Sequence, residues 1–289
     1  MKNNYKMKKT SYNQTCSDIK IANMNYYFNV DYYSFIIKNK KIKLSDLTPK
    51  ENEPQDVFEI GKRNNMITSY KFSNIKPPKR DYTQKIILTI DYPGLLMGIG
   101  NNHEIRIAKE INLGSTFDYV TGLPYLPGSS LKGIISSAFK NFPDFIIEQL
   151  HDNEIVNSLN DKDDLVKRIK EAIFGSDNDL PGSDVFMDSF VVSNDKQLLK
   201  LDHLAPHYGD DKLLEMGNIN ILTMLRVAPE TKIKFEFILK DSELEILDKC
   251  YKITVAEKLK LFEQIIKEFG VGAKTNVGYG YFKGEEVNG

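Results

Sequence analysis

The chain has 289 residues, 41% of them hydrophobic, a net charge of −1 and two cysteines. That is enough apolar material for one large domain or two modest ones, whereas Cys16 and Cys250 are too few and too far apart for a disulfide scaffold or a zinc site. The polar, lysine-rich first twenty residues lack the apolar stretch of a secretion signal, and no run of about eighteen apolar residues follows, so a cytoplasmic protein with no membrane partner is expected.

Charge is distributed unevenly. Residues 1–80 carry sixteen Lys/Arg against seven Asp/Glu, and the remainder carries twenty-three against thirty-three, so a basic segment precedes a mildly acidic body. Residues 1–80 read as irregular. Within them YYFNVDYYSFIIKNKKIK, Tyr26 to Lys43, is aromatic and then basic, and reads as a helix or strand pair laid on the body or as a solvated face. IKPPKR, Ile75 to Arg80, is a linker because its two prolines oppose both helix and ladder pairing. A boundary there separates a segment 1–80, packed on or extending from the core, from a domain 81–289.

After this linker the periodic signals sharpen. KIILTIDY, Lys85 to Tyr92, is an apolar strand, and an excursion with Gly94, Gly98 and Gly100 follows it. LPYLPGSSLKGIISSAFKNF turns at Pro127-Gly128 into a helix with Ser129 or Ser130 as its cap. Further helices are predicted over 145–159 and 163–174, the second from Leu165, Ile169 and Ile173. DVFMDSFVV alternates as a strand. Residues 195–220 are polar and poorly periodic, a long loop of the kind that carries function. ILTMLRV and KIKFEFILK read as companion strands, and VAEKLKLFEQIIKEF as an amphipathic helix with Leu259, Phe262, Ile266 and Phe269 on one face. GYGYF closes the chain as a short strand. The core order is strand, helix, strand, strand, helix, strand: an α+β fold of ferredoxin-like (RRM-like) β-α-β-β-α-β type, with helical and loop insertions.

GVGAKTNVGYGYF, Gly270 to Phe282, superficially resembles a triphosphate-binding loop. A phosphate loop leaves a strand, has glycine before its lysine and opens a helix. Here Ala273 precedes Lys274 and the loop leaves a helix C-terminus, whose dipole repels anions. The glycines therefore answer a different need.

The pattern Gly270-Val271-Gly272, five residues, Gly278-Tyr279-Gly280 resembles the C-terminal glycine-rich loop of the RAMP superfamily, the ferredoxin-like proteins of CRISPR effector complexes. TGLPYLPGSSLKGIISSAF, Thr121 to Phe139, resembles that superfamily's turn into its first helix, and Phe174-Gly175 with DVFMDSFVV resembles its entry to the second strand. LDHLAPHYGDD with NINILTMLRVAPETKIKFEF resembles one subgroup closely, the sixth subunits of type III-B (Cmr) RNA-targeting complexes. The resemblance runs from about residue 85 to the end. It implies a non-catalytic RNA-binding subunit with no cofactor, holding the 3′ part of the guide RNA and its target RNA duplex. Its partners would be the backbone RAMP subunit and the adjacent head subunit, and a protruding loop would wedge into the duplex; residues 195–220 and the excursion after Tyr92 are the candidates.

For RNA the candidate contacts are Gly128, Ser129, Ser130 and Lys132 at the first helix, Gly270, Gly272, Lys274, Thr275 and Asn276 in the final loop, and Arg106 after the first strand. Free amides at a helix start and glycines that take positive φ suit a sugar-phosphate chain bound without reading its sequence. The same features also suit a plain helix start with a snorkelling lysine, and a C-cap followed by a tight turn. His103 raises the alternative of a metal-independent repeat-processing endoribonuclease. His203 and His207 have metal-ligand spacing, but Pro206 opposes a helix there. Asp177, Asp179, Asp184 and Asp188 are taken as turn and cap residues rather than as a metal-dependent nuclease centre. No catalytic residue is assigned.

Overall fold

The computed structural model describes residues 21–39, 54–73, 75–98, 107–150, 162–176, 181–192, 197–204, 221–246 and 249–284. Among them are helices α1 (Met24–Tyr26), α2 (Ser34–Asn39), α3 (Pro54–Ser69), α4 (Gly128–Asn141), α5 (Pro143–Gln149), α6 (Lys162–Phe174) and α7 (Val255–Phe269), with a π-helical stretch, Tyr27–Asp31, after α1. The strands are β1 (Gln84–Thr89), β2 (Ile111–Leu113), β3 (Tyr125–Leu126), β4 (Val185–Phe186), β5 (Ser189–Val192), β6 (Leu199–Leu204), β7 (Leu222–Val227), β8 (Lys232–Ile238), β9 (Ser242–Ile246) and β10 (Lys249–Ile253). The protein is α+β.

The main sheet runs β1-β8-β5-β3, with β4 also on β8, and every pairing in it is antiparallel. Period-two alternation in KIKFEFI sends Ile233, Phe235 and Phe237, all fully buried, to one face. α7 closes that face: Phe262 lies 5.5 Å from both Phe237 and Phe186. α4 packs beside α7 and buries Leu131, Ile135, Ala138 and Phe139. Burial of each large apolar side chain contributes about 1.5–3 kcal/mol. The opposite parity of β8 is charged. Glu236, fully buried, receives Arg80 and Lys234 at 3.0 Å each and the Thr83 hydroxyl at 3.1 Å.

α7 starts with a capping box, the Thr254 hydroxyl accepting from Glu257 N–H while the Glu257 carboxylate accepts from Thr254 N–H. Its buried face is broader than the four predicted positions. Phe262 and Ile266 are buried, Leu259 and Phe269 are partly buried, and Leu261, Ile265 and the charged Lys258 join them.

Several readings of the sequence change. GYGYF is not a strand: Gly278–Gly280 is a turn, and only Phe282 makes a bridge, to Ile90. Positive φ at Gly278 and Gly280 prevents a ladder there. ILTMLRV is a strand, but not β8's companion; it lies between β2 and β6 in a second sheet, parallel to the first and antiparallel to the second. Alternation specifies a strand without specifying its neighbour. Residues 199–204 of the predicted long loop form β6, while 205–220 lie outside the described residues. The predicted 145–159 helix is α5 up to Gln149, and 151–160 are likewise outside.

The N-terminal segment is largely helical over 24–39 and 54–69, not irregular, whereas 70–73 and 75–80 carry no helix or strand. The inward face of α3 mixes Ile60 and Ile67 with buried Arg63 and Asn64, which blurs the apolar period in the sequence. The Arg63 guanidinium donates to Asp31 O at 2.6 Å, and Asn64 is bonded on both sides. Asn64 accepts from the Tyr32 hydroxyl at 2.7 Å and donates to Lys109 O at 2.8 Å, and the Tyr32 hydroxyl accepts from Ile111 N–H at 3.2 Å. Met24, Tyr27, Phe28 and Tyr32 share one hydrophobic core with the main sheet.

Candidate nucleic-acid interface

The final loop is held by what it buries. After Gly270, whose positive φ ends α7, Val271 is fully buried and its N–H donates to Gly280 O at 2.9 Å. Ala273 N–H donates to Leu96 O at 2.9 Å and Gly280 N–H to Gly94 O at 2.8 Å. The loop thus lies along Gly94–Leu96, the start of the predicted excursion; this part is packed inward, with Leu95 and Leu96 fully buried. A Cβ on Gly272 would overlap Leu96 O, and one on Gly280 would overlap Val271 O. The glycines therefore serve close packing of the chain on itself.

Between these anchors Lys274 takes left-handed backbone angles (φ 59°, ψ 37°) and Thr275–Val277 make one 3-10 turn. Lys274 and Asn276 are exposed. Among the described residues, the N–H groups of Gly272, Lys274, Thr275 and Asn276 have no hydrogen-bond partner. Successive free amides in such a turn form a concave donor set for an anion, here beside a lysine.

Tyr279 ties the loop to the second sheet. Its hydroxyl donates to Asp202 Oδ2 at 2.7 Å, Arg226 Nε lies 3.0 Å from the same oxygen, and the Arg226 guanidinium also donates to Pro93 O. Burial raises the Asp202 carboxyl, but the hydrogen bonds from Tyr279 and His203 N–H and the Arg226 charge outweigh it and leave the carboxyl below its usual range. Burial, then the bond to Asp202, pushes the Tyr279 phenol up to about 12. A raised folded-state value means stability is fully present below the unfolded phenol's 10.0 and is lost as pH climbs through 12. Buried Tyr32 and Tyr251 are raised as well, so the measurement is a comparison: thermal melts of Tyr279→Phe are expected to lose less stability over that window than those of the natural chain, and identical profiles would contradict the Tyr279 environment.

The first helix differs from the prediction at its cap. The N-cap is Pro127, with no side-chain cap bond, and Ser129 and Ser130 are exposed in the first turn. A distant carboxylate takes the role: Asp188 Oδ1 accepts from Gly128 N–H at 2.8 Å. Ser130 N–H donates to Pro127 O. Gly128 itself is buried, and a Cβ there would overlap Phe186 O, so its close approach is to its own chain. Lys132 leaves the helix on another flank, its ammonium 3.5 Å from Phe174 O at the end of α6.

The structure brings Ser130, Gly270, Gly272 and Thr275 together. They line one groove of about 370 Å³ with Gly133, Ser137 and the ring of Phe142, which stacks on Phe269 at 4.5 Å. Lys274 and Asn276, exposed on either side of Thr275, are not among the lining residues, nor is Lys132. Arg106 lies outside the described residues, as do His103, His207, Asp177 and Asp179. His203 is on β6, its ring 3.2 Å from the Thr223 hydroxyl. Asp184 is fully buried against Lys258 at 2.7 Å, which commits it to an ion pair. The Asp202–Arg226–Tyr279 network had no signal in the sequence, because the β6–β7 pairing brings Asp202 and Arg226 together and the folded-back glycine loop adds Tyr279.

Gly133 has open space where a Cβ would stand. Gly133→Ala is therefore expected to stabilise by about 0.5–1 kcal/mol through helix propensity, and Gly280→Ala, at φ 81°, to destabilise by more than about 1 kcal/mol. Urea midpoints of the two variants moving in the same direction would refute this contrast.

The chain is 24% identical over 260 residues to the CRISPR system CMR subunit Cmr6 of Saccharolobus solfataricus, across 87% of this chain and 78% of that one. Its fold is similar to that of a chain in the cryo-EM structure of the Type III-B Cmr-beta bound to cognate target RNA, with a TM-score of 0.51 and 21% identity over 90% of this chain and 87% of that one. The crystal structure of Cmr6 from Pyrococcus furiosus aligns at a TM-score of 0.34 and 17% identity, over 71% of this chain and 100% of that one. The sequence model of the RAMP superfamily matches residues 87–283, from β1 through the glycine loop, and the chain belongs to that superfamily.

Proposed function

We propose that the chain is a non-catalytic, RNA-binding subunit of a type III-B CRISPR effector complex in antiviral defence, holding the 3′ part of the guide RNA and its target duplex and capping the backbone filament. The observation that carries it is the exposed loop tip, where four unengaged amides and Lys274 adjoin the groove beside α4. Likeness to Cmr6 over most of both chains supports the assembly. The main sheet is read as the ferredoxin-like core: Ile90–Phe282, β1, β8 and β5 lie side by side, with α4 and α7 after the first and third strands and a fourth strand shortened to one bridge. The commitment of Asp184 to Lys258 and of Asp188 to Gly128 supports a binding rather than cutting role. No helix of the described residues is long and apolar enough to cross a membrane.

Co-expression of the neighbouring effector subunits with a guide RNA, followed by a pull-down on this chain, tests the reading. Co-elution of subunits and guide is expected, with target cleavage in the eluate and none by this chain alone. Multiple-turnover cutting of repeat RNA by the isolated chain would overturn it in favour of an endoribonuclease.

A further inference from the structure

Tyr92 stands out among the exposed aromatic side chains. It is 78% exposed, yet its backbone is fixed from both sides. Asp91 N–H donates to Tyr281 O at 2.9 Å, Tyr92 N–H donates to Asp91 Oδ1 at 2.7 Å, and Pro93 O accepts from Arg226. Gly94 O then receives Gly280 N–H. The ring is thus presented to solvent on a braced turn whose backbone needs no reordering on binding. Tyr119, 84% exposed, has a different setting, beside Asn23 of the N-terminal helices. Tyr92 adjoins the glycine loop: Pro93 Cδ is 3.8 Å from where a Gly278 Cβ would stand, and Gly278 follows directly on the 3-10 turn that carries the free Thr275 and Asn276 amides.

We propose that Tyr92 is a base-stacking platform for single-stranded RNA, working next to the phosphate-holding tip Gly272–Asn276. A phosphate site alone grips any polyanion, whereas an aromatic face beside it selects chains whose bases are free to splay out. Stacking is sequence-tolerant because every base has a π-face, which fits a protein whose guide sequence varies. The inference rests on the RNA-binding reading above.

The test uses the full chain in the assembled complex and RNA carrying 5-iodouridine at successive positions, irradiated and mapped by peptide mass spectrometry. A crosslink to Tyr92 in one register is expected. Tyr92→Ala is expected to weaken RNA binding about five- to a hundredfold with the salt dependence unchanged, and Tyr92→Phe to restore it. If Lys274→Glu weakens binding while Tyr92→Ala does not and no crosslink reaches Tyr92, the stacking role is wrong and the RNA-binding reading stands. Failure of Tyr92→Phe to restore binding would assign the effect to the hydroxyl and overturn stacking. If the wild-type chain neither binds nor crosslinks RNA, both readings fall together.

Discussion

Lys258→Met is expected to lower the unfolding free energy by about 3–5 kcal/mol, the range for removing one partner of a buried ion pair. Lys258 and Asp184 are both fully buried, with Nζ 2.7 Å from Oδ2. The ammonium also donates to Lys240 O at 2.7 Å and Ser242 Oγ at 2.9 Å, so one side chain on α7 satisfies acceptors at the β8–β9 connection and at the entry to β4. Asp184 accepts in addition from Lys240 N–H at 3.1 Å and the Ser183 hydroxyl at 2.9 Å. Methionine fills similar volume but leaves the Asp184 carboxylate without its counter-charge, and Asp184 Oδ2 and Lys240 O without the ammonium donor, in a low-dielectric interior. Adding Asp184→Asn is expected to recover part of the loss, because the uncompensated charge is then gone. Urea unfolding of the two singles and the double measures the cycle. A loss under about 1 kcal/mol for Lys258→Met would mean that water reaches the pair.

The second large effect concerns RNA. Lys274→Glu is expected to weaken guide binding by about 1.5–3 kcal/mol, the range for a hydrogen bond to a charged group, and to lower the salt slope by about one. It should leave stability almost unchanged, since the side chain is exposed and its ammonium has no partner among the described residues. Lys132→Glu separates the structure's reading from that of the sequence. The sequence ranks the two lysines alike, but Lys132 reaches Phe174 O at the end of α6, where a cation favours the helix dipole. Its reversal is expected to cost about 0.3–1 kcal/mol of stability and to change RNA binding much less than Lys274→Glu does. Filter binding across a salt series, paired with thermal melts, distinguishes them. Equal losses of affinity would return Lys132 to the interface.

The two substitutions also mark where sequence reasoning ended. Legible from residue pattern alone were the strand β1, from its apolar run, the strand β8, from its alternation, the helix α4, from the Pro127-Gly128 turn before it, the helices α6 and α7, from apolar residues recurring at three and four, and the loop after Gly270. These signals are local, because each is set by the geometry of one element. The exclusion of a triphosphate loop was equally local, resting on Ala273 before Lys274 and on a helix ahead of the loop. Family likeness was legible for the same reason, being carried by short runs such as GVGAKTNVGYG.

What the tertiary structure decided was which groups meet. Neither β7's place in a second sheet, nor Asp188 at the start of α4, nor the Asp202–Arg226–Tyr279 tie follows from any spacing, since their partners lie far apart in the chain. A lysine in VAEKLKLF reads as a solvated side chain; only the fold places Lys258 against Asp184, with no exposure for either. The glycines carry the same lesson. Sequence reveals that Gly128, Gly272 and Gly280 are glycines, and packing shows that their missing Cβ atoms make room for Phe186, Leu96 and Val271. Backbone propensity belongs to the residue, but contact across the chain belongs to the closed fold, and the candidate RNA site is built almost wholly from such contacts.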